Sequence, residues 1–161
     1  MLKNTVRLLQ LGLKNLQVIQ GESAEDFSEL AIEVTTAPSQ FSLCYPNINS
    51  LAIESAFSTA DKSAQFSQQH TIIFIDASWR KALKMWHLNP WLQQLTSWHF
   101  DNPPEGQYRI RQTKQKNGLS TLEAVTYVLT NTKQVDCSAL LTLFLKMQQL
   151  RFAEVRNSNP E

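Results

Sequence analysis

One uninterrupted run, Thr71-Ile72-Ile73-Phe74-Ile75, limits what this chain can fold into. It is apolar or β-branched at every position, so it does not alternate between a wet face and a dry one. A strand of that kind needs cover on both faces, the setting of a central strand in a parallel sheet. The period then changes. Trp79, Ala82, Leu83 and Trp86 stand at i, i+3, i+4 and i+7, and Asn89-Pro90 closes the segment, which predicts a helix directly after the strand. In open α/β sheets, ligands bind beyond the carboxyl ends of strands. The junction Asp76-Ala77-Ser78-Trp79 is therefore the first place to look for a site.

The rest of the chain repeats this alternation. Asn4 to Leu16 reads as a helix through Val6, Leu9, Leu13 and Leu16. Gln17 to Gln20 reads as a short strand closed by Gly21, and Glu22 to Leu30 as a loop or short helix. Phe41 to Tyr45 is a strand stopped by Pro46. Asn47 or Asn49 is placed to cap a helix with Ile48, Leu51, Ala52 and Ser55 inside. Ser58 to Gln69 reads as a polar loop, Leu95 to Phe100 as a strand, and Asp101 to Gly106 as a turn-rich connection. Ser120-Thr121-Leu122-Glu123 has the pattern of a capping box and opens a helix buried through Leu122, Val125 and Leu129. Asp136 or Ser138 starts the last helix, Ala139 to Phe152. Leu140, Leu143, Phe144, Met147 and Leu150 lie on one side of it, and Leu141 and Leu145 widen that face, a pattern of deep burial or of a subunit contact. Strands alternating with helices give an α/β class with a mainly parallel sheet and flanking helices. One domain over residues 1–155 with a frayed tail at 156–161 is expected.

Composition removes several functions. No eighteen consecutive residues are apolar and the N-terminus lacks a signal-peptide core, so no membrane association and cytoplasmic residence are expected. A formal net charge of +1 argues against indiscriminate nucleic-acid binding but leaves room for a local basic patch. Two cysteines, Cys44 and Cys137, read as buried free thiols and make no zinc site. With only 4 glycines there is no Gly-rich phosphate loop, and no HExxH, CxxC or nucleophile elbow appears, so no metal is expected.

A carboxylate at the end of an apolar strand must be solvated, paired or hydrogen-bonded. Capping the next helix is the commoner role for Asp76, and Ser78 competes for it. Arg80, Lys84 and His87 form a basic ridge beside Asp76, most simply a solvated helix face. Arg109 and Arg111 stand two apart on what reads as a strand, which puts both on one side where they can meet phosphates, and Lys114 and Lys116, again two apart, follow. Trp86, Trp91 and Trp98 can stack bases, but core packing is the simpler assignment for each.

Taken together, Asp76-Ala77-Ser78-Trp79, Tyr108-Arg109-Ile110-Arg111 and Leu119-Ser120-Thr121-Leu122-Glu123-Ala124 resemble the DTW-domain family in order and spacing. Cys44-Tyr45-Pro46 resembles its apolar-Tyr-Pro element, and Asn4-Thr5 with Leu8-Leu9 its first-helix motif. The match runs from about Asn4 to Leu129. The resemblance implies a tRNA-uridine aminocarboxypropyltransferase on a SPOUT-like fold with a C-terminal trefoil knot. Such an enzyme uses S-adenosylmethionine as co-substrate and tRNA, rather than rRNA, as acceptor; the chain itself is expected to be a monomer or weak homodimer. It further implies Asp76 as the catalytic base or orienting group, with Tyr45, Pro46, Ser78, Trp98, Leu119, Thr121 and Ala124 about the cofactor. Arg80, Lys84, Arg109, Arg111 and Lys114 would meet RNA. Two departures stand out. Ser78 replaces the usual threonine, and the family's cysteine-rich segment and first strand do not precede Asn4-Thr5, so an N-terminally short member is expected. A non-catalytic RNA-binding relative and a SPOUT-type RNA methyltransferase remain the alternatives.

Overall fold

In the computed structural model, residues 4–57, 66, 69–104, 119–133 and 135–158 are described. The chain divides into two compact units, one of residues 17–102 and one of residues 1–16 with 103–161.

The 17–102 unit is built on β1 (Phe41–Cys44). This strand pairs in parallel with β3 (Thr71–Phe74) on one side and with β4 (Thr96–His99) on the other. A two-residue strand, β2 (Leu51–Ala52), joins in parallel beyond β4, giving the order β2-β4-β1-β3. Ser42 and Leu43 are 1% and 0% exposed, so β1 is covered on both faces. A buried hydroxyl needs a partner, and Ser42 Oγ has one in His70 Nε2 at 2.9 Å. The run at Thr71–Ile75 is thus a strand, as expected, but it lies at an edge of the described sheet rather than in its centre. Apolarity reports cover and says nothing of lateral order, and at this edge the cover is partial: Ile72, Ile73 and Phe74 are half-buried and Thr71 is exposed.

One face of the sheet carries the core. Leu43 and Tyr45 from β1 and its exit meet Val34 of α2 (Ser28–Thr36), Ala82 of α4 (Trp79–Leu88), and Leu92 and Leu95 around a 3-10 turn (Pro90–Gln94). Ile73, Ile75 and Trp86 pack against this cluster. Each large side chain buried this fully contributes about 1.5–3 kcal/mol.

Two local expectations are corrected. Asn47 does not cap a helix. Its Oδ1 accepts the Asn49 N–H at 2.9 Å and its carbonyl the Ser50 N–H at 3.0 Å, a turn that competes with helix formation. Leu51–Ala52 then joins β4, Ile48 is 94% exposed, and only a single helical turn follows, α3 (Glu54–Phe57). Gln17 to Gln20 forms no strand. Glu22 to Leu30 is a turn followed by the start of α2: the Asp26 carboxylate gathers the N–H groups of Glu22 (2.8 Å) and Ser23 (2.9 Å). Those backbone donors hold its pKa below the usual carboxylate value. Gly21 is required there, because a Cβ would collide with that of Asp26.

Asn89 fastens this turn to the end of α4. Wholly buried, it donates from Nδ2 to the carbonyls of Glu22 (3.0 Å) and Met85 (2.8 Å), and its Oδ1 accepts from Trp91 Nε1 at 3.2 Å.

In the other unit, α1 (Asn4–Gly12) packs against α5 (Thr121–Thr132) and α6 (Ser138–Ser158). Helix α1 ends at Gly12, short of the predicted Leu16. A Cβ on Gly12 would stand 3.0 Å from Leu140 Cδ1. The capping box is present: Ser120 Oγ accepts from the Glu123 N–H at 3.2 Å, and Glu123 Oε2 from the Ser120 N–H at 2.8 Å. Leu122, Val125 and Val128 make the buried stripe of α5, with Leu129 only half-buried. Helix α6 runs on to Ser158, beyond the predicted end. Only part of its broad apolar face is buried, at Leu140 and Phe144, while Leu141, Leu143, Leu145, Leu150 and Phe152 are exposed. Among the described residues no helix is long and apolar enough to cross a membrane.

Replacing Asn89 with alanine removes three hydrogen bonds and leaves buried partners unmet. A stability loss of about 2–3 kcal/mol is expected, read as a lower denaturation midpoint at unchanged slope.

Candidate functional site

All four strands run the same way, so their carboxyl ends share one edge of the 17–102 unit. Three chain segments leave there: Tyr45-Pro46 after β1, Asp76 to Trp79 after β3, and His99 to Asn102 at the end of β4.

Helix α4 starts at Trp79 and its N-cap is Ser78, whose Oγ accepts from the Lys81 N–H at 3.4 Å. The capping role considered for Asp76 thus falls to Ser78. Asp76 sits just past the end of β3 on the exposed side. Trp79 is 50% exposed, and its ring lies 6.4 Å from that of Tyr45, which also packs 6.2 Å from Trp86. Tyr45 is buried, and that burial raises the pKa of its phenol. Pro46 is exposed. The structure therefore gathers Asp76, Ser78 and Trp79 beside the Tyr45-Pro46 exit.

On the other side of β1 is a network that local sequence patterns do not reveal. Ser50 Oγ lies 2.9 Å from His99 Nδ1, and His99 Nε2 lies 3.1 Å from Asp101 Oδ1. The Glu54 carboxylate accepts the N–H groups of Asp101 (3.1 Å) and Asn102 (3.0 Å). The connectivity is that of a carboxylate–imidazole–hydroxyl relay. Ser50 Oγ is also committed to its own turn, however, donating to the Asn47 carbonyl at 2.7 Å and accepting the Asn47 N–H at 3.1 Å. The network fastens the loop after β1 to the end of β4 and the start of α3. Only the turn-rich stretch beginning at Asp101 was visible in the sequence. Since β1 separates β3 from β4, the Asp76 and His99 sides of the edge are two strand spacings apart, about 10 Å. Tyr45 leaves between them.

Of the proposed RNA contacts, Arg80 and Lys84 lie with His87 on the exposed side of α4, and Lys84 forms an ion pair with Glu22. Tyr108, Arg109, Arg111, Lys114 and Lys116 lie outside the described residues. Trp98 is 3% exposed on β4, 5.4 Å from the Phe66 ring, and its indole N–H has no acceptor among the described residues. Among those residues the Trp86 N–H is unmet as well, whereas Trp91 donates to Asn89. Leu119, Thr121 and Ala124 belong to the other unit, half-buried around the capped start of α5.

Both cysteines are free thiols, Cys137 buried and Cys44 half-buried. Desolvation, with a smaller push from the Glu54 charge, raises the Cys44 pKa to about 12. The folded protein therefore keeps this proton where the unfolded chain releases it. The resulting stability is complete below about pH 9 and is lost as pH rises from there towards 12, by up to about 1.4 kcal/mol per pH unit. Denaturation of the wild type and of Cys44→Ala at pH 8 to 11 checks this: the wild type is expected to lose stability with pH more steeply than the variant.

The family model described as DTW domain matches residues 1–152. No curated protein and no solved structure matches the chain. The matched span takes in the Tyr45-Pro46 exit, the Asp76-to-Trp79 junction and the capped start of α5, and with it the chain belongs to the DTW-domain family.

Proposed function

We propose that this chain is a tRNA-modifying enzyme that moves the 3-amino-3-carboxypropyl group of S-adenosylmethionine to N3 of a uridine. On this reading it has a SPOUT-like fold with a C-terminal trefoil knot. One observation carries the proposal. In a member of the DTW-domain family, an exposed carboxylate, Asp76, stands at the carboxyl edge of a parallel sheet, beside the half-exposed Trp79.

The chemistry asks little of the protein beyond alignment and one proton transfer. The sulfonium supplies a leaving group that is already activated. Uridine N3 attacks poorly while it carries its proton, and a carboxylate at the sheet edge accepts or orients that proton. The N3–C bond forms as the C–S bond breaks, the bonding electrons stay on sulfur, and the proton passes to Asp76 and then to water. Trp79 offers a ring face on which a base can stack. Tyr45 and Pro46 border the donor. Trp98 fits a bound donor well. A buried N–H without an acceptor costs about 1–3 kcal/mol, and a polar atom of the donor placed against it restores that loss. Arg80, Arg109, Arg111 and Lys114 meet phosphates, and Lys84 joins them by exchanging Glu22 for RNA.

The decisive variant is Asp76→Asn. Calorimetry is expected to find donor binding within about threefold of wild type, with group transfer slowed by about a hundredfold or more. Mass spectrometry of digested tRNA distinguishes an aminocarboxypropyl adduct from a methyl group. Product formed by Asp76→Asn at the wild-type rate would remove Asp76 from the chemistry. Wild-type protein that binds tRNA but no donor would point to the non-catalytic RNA-binding alternative. His99→Ala frees the loop after β1 from β4 and is expected to raise the KM for the donor several-fold while changing kcat little, as loss of positioning does.

A further inference from the structure

Helix α6 carries more apolar surface than its own unit covers. At about 100° per residue, Leu140, Phe144 and Gln148 form one narrow stripe, and these three are 8%, 1% and 4% exposed. Leu143, Met147 and Leu150 form a second stripe roughly 90° around the helix. Leu143 is 46% exposed and Leu150 60%. This second stripe and Leu8 of α1 line an open groove of about 540 Å³, bordered by Lys146, Arg151 and Glu154. Exposed leucines along one helix face are surface that water disfavours and another helix can cover.

The charges along the groove indicate what covers it. Lys146 and Glu154 lie four residues before and four after Leu150. A twofold axis at Leu150 that sets two α6 helices antiparallel brings Lys146 of each copy against Glu154 of the other, twice by symmetry. The same axis sets Leu150 on Leu150. It also brings Met147 over Ala153, whose small side chain lets the helices approach. A parallel pairing would instead place Lys146 on Lys146. The charges are self-complementary in the antiparallel orientation and not in the parallel one. We propose that α6 is a homodimer interface, antiparallel about Leu150. A contact made by one helix stripe per copy buries less than the roughly 1,600 Å² of a standard stable interface. The dimer is therefore weak and concentration-dependent, and the proposal is independent of the catalytic reading.

Sedimentation velocity on the full chain from about 1 to 200 μM tests it, with a dissociation constant expected in the micromolar range. Leu150→Glu is expected to give a monomer throughout, with an unchanged circular dichroism spectrum. Lys146→Glu and Glu154→Lys alter exposed positions and spare the core. Each alone is expected to weaken the dimer by about tenfold, and the two together to restore it to within about threefold. The proposal is overturned by any of three results: a wild type that stays monomeric across the range, a dimer indifferent to Leu150→Glu, or a charge reversal that fails to restore association. The first would leave the groove to a different partner.

Discussion

Parallel pairing of β1 with both β3 and β4 is the constraint from which the arrangement of this chain follows. Parallel neighbours cannot be joined by a tight turn, so each return requires a crossover. The crossover after β3 is α4 with its 3-10 extension. Once the strands run together, their exits must share an edge, and each exit brings a different chemistry: a phenol at Tyr45, a carboxylate at Asp76, an imidazole at His99. Both ends of α4 are held, by Ser78 at the start and Asn89 at the finish. Trp79 therefore has a defined place beside Tyr45.

The acidic groups at this edge differ in what they are engaged in. Glu54 is taken up by the backbone N–H groups of Asp101 and Asn102, and Asp101 by His99. These carboxylates build the edge. Asp76 follows directly from an apolar strand and precedes a helix that is capped by another residue. The start of that helix rests on Ser78 rather than on Asp76.

Much of this was legible in the sequence wherever it depends on local pattern. The apolar run ending at Ile75, the stripe from Trp79 to Trp86, the stop at Asn89-Pro90 and the reciprocal bonds of Ser120 and Glu123 all follow from periodicity and capping chemistry. What periodicity cannot express was misread. The run from Phe41 to Tyr45 shows a strand but not its central place, where the buried Ser42 hydroxyl is satisfied by His70. Asn47 can start a helix or close a turn on its own backbone, and the pull of β4 on Leu51-Ala52 decided for the turn. Ser50 and His99 are 49 residues apart, and no local rule pairs them. The breadth of the apolar face on α6 was visible from the sequence, but which part of it lies under α1 was not.

The central position of β1 also sets the order in which the chain can assemble. Phe41 finds its partner at Thr71 and Ser42 its other partner at Thr96, so neither pairing is local. Pairings so distant in sequence carry a large loop-closure cost and fold slowly beside helices made of near neighbours. On a ribosome, β1 emerges well before either flanking strand has been made. Until then Leu43 and the hydrogen-bonding edges of β1 have nothing to pair with, which makes the nascent chain most open to aggregation or chaperone capture in the interval before β4 is complete.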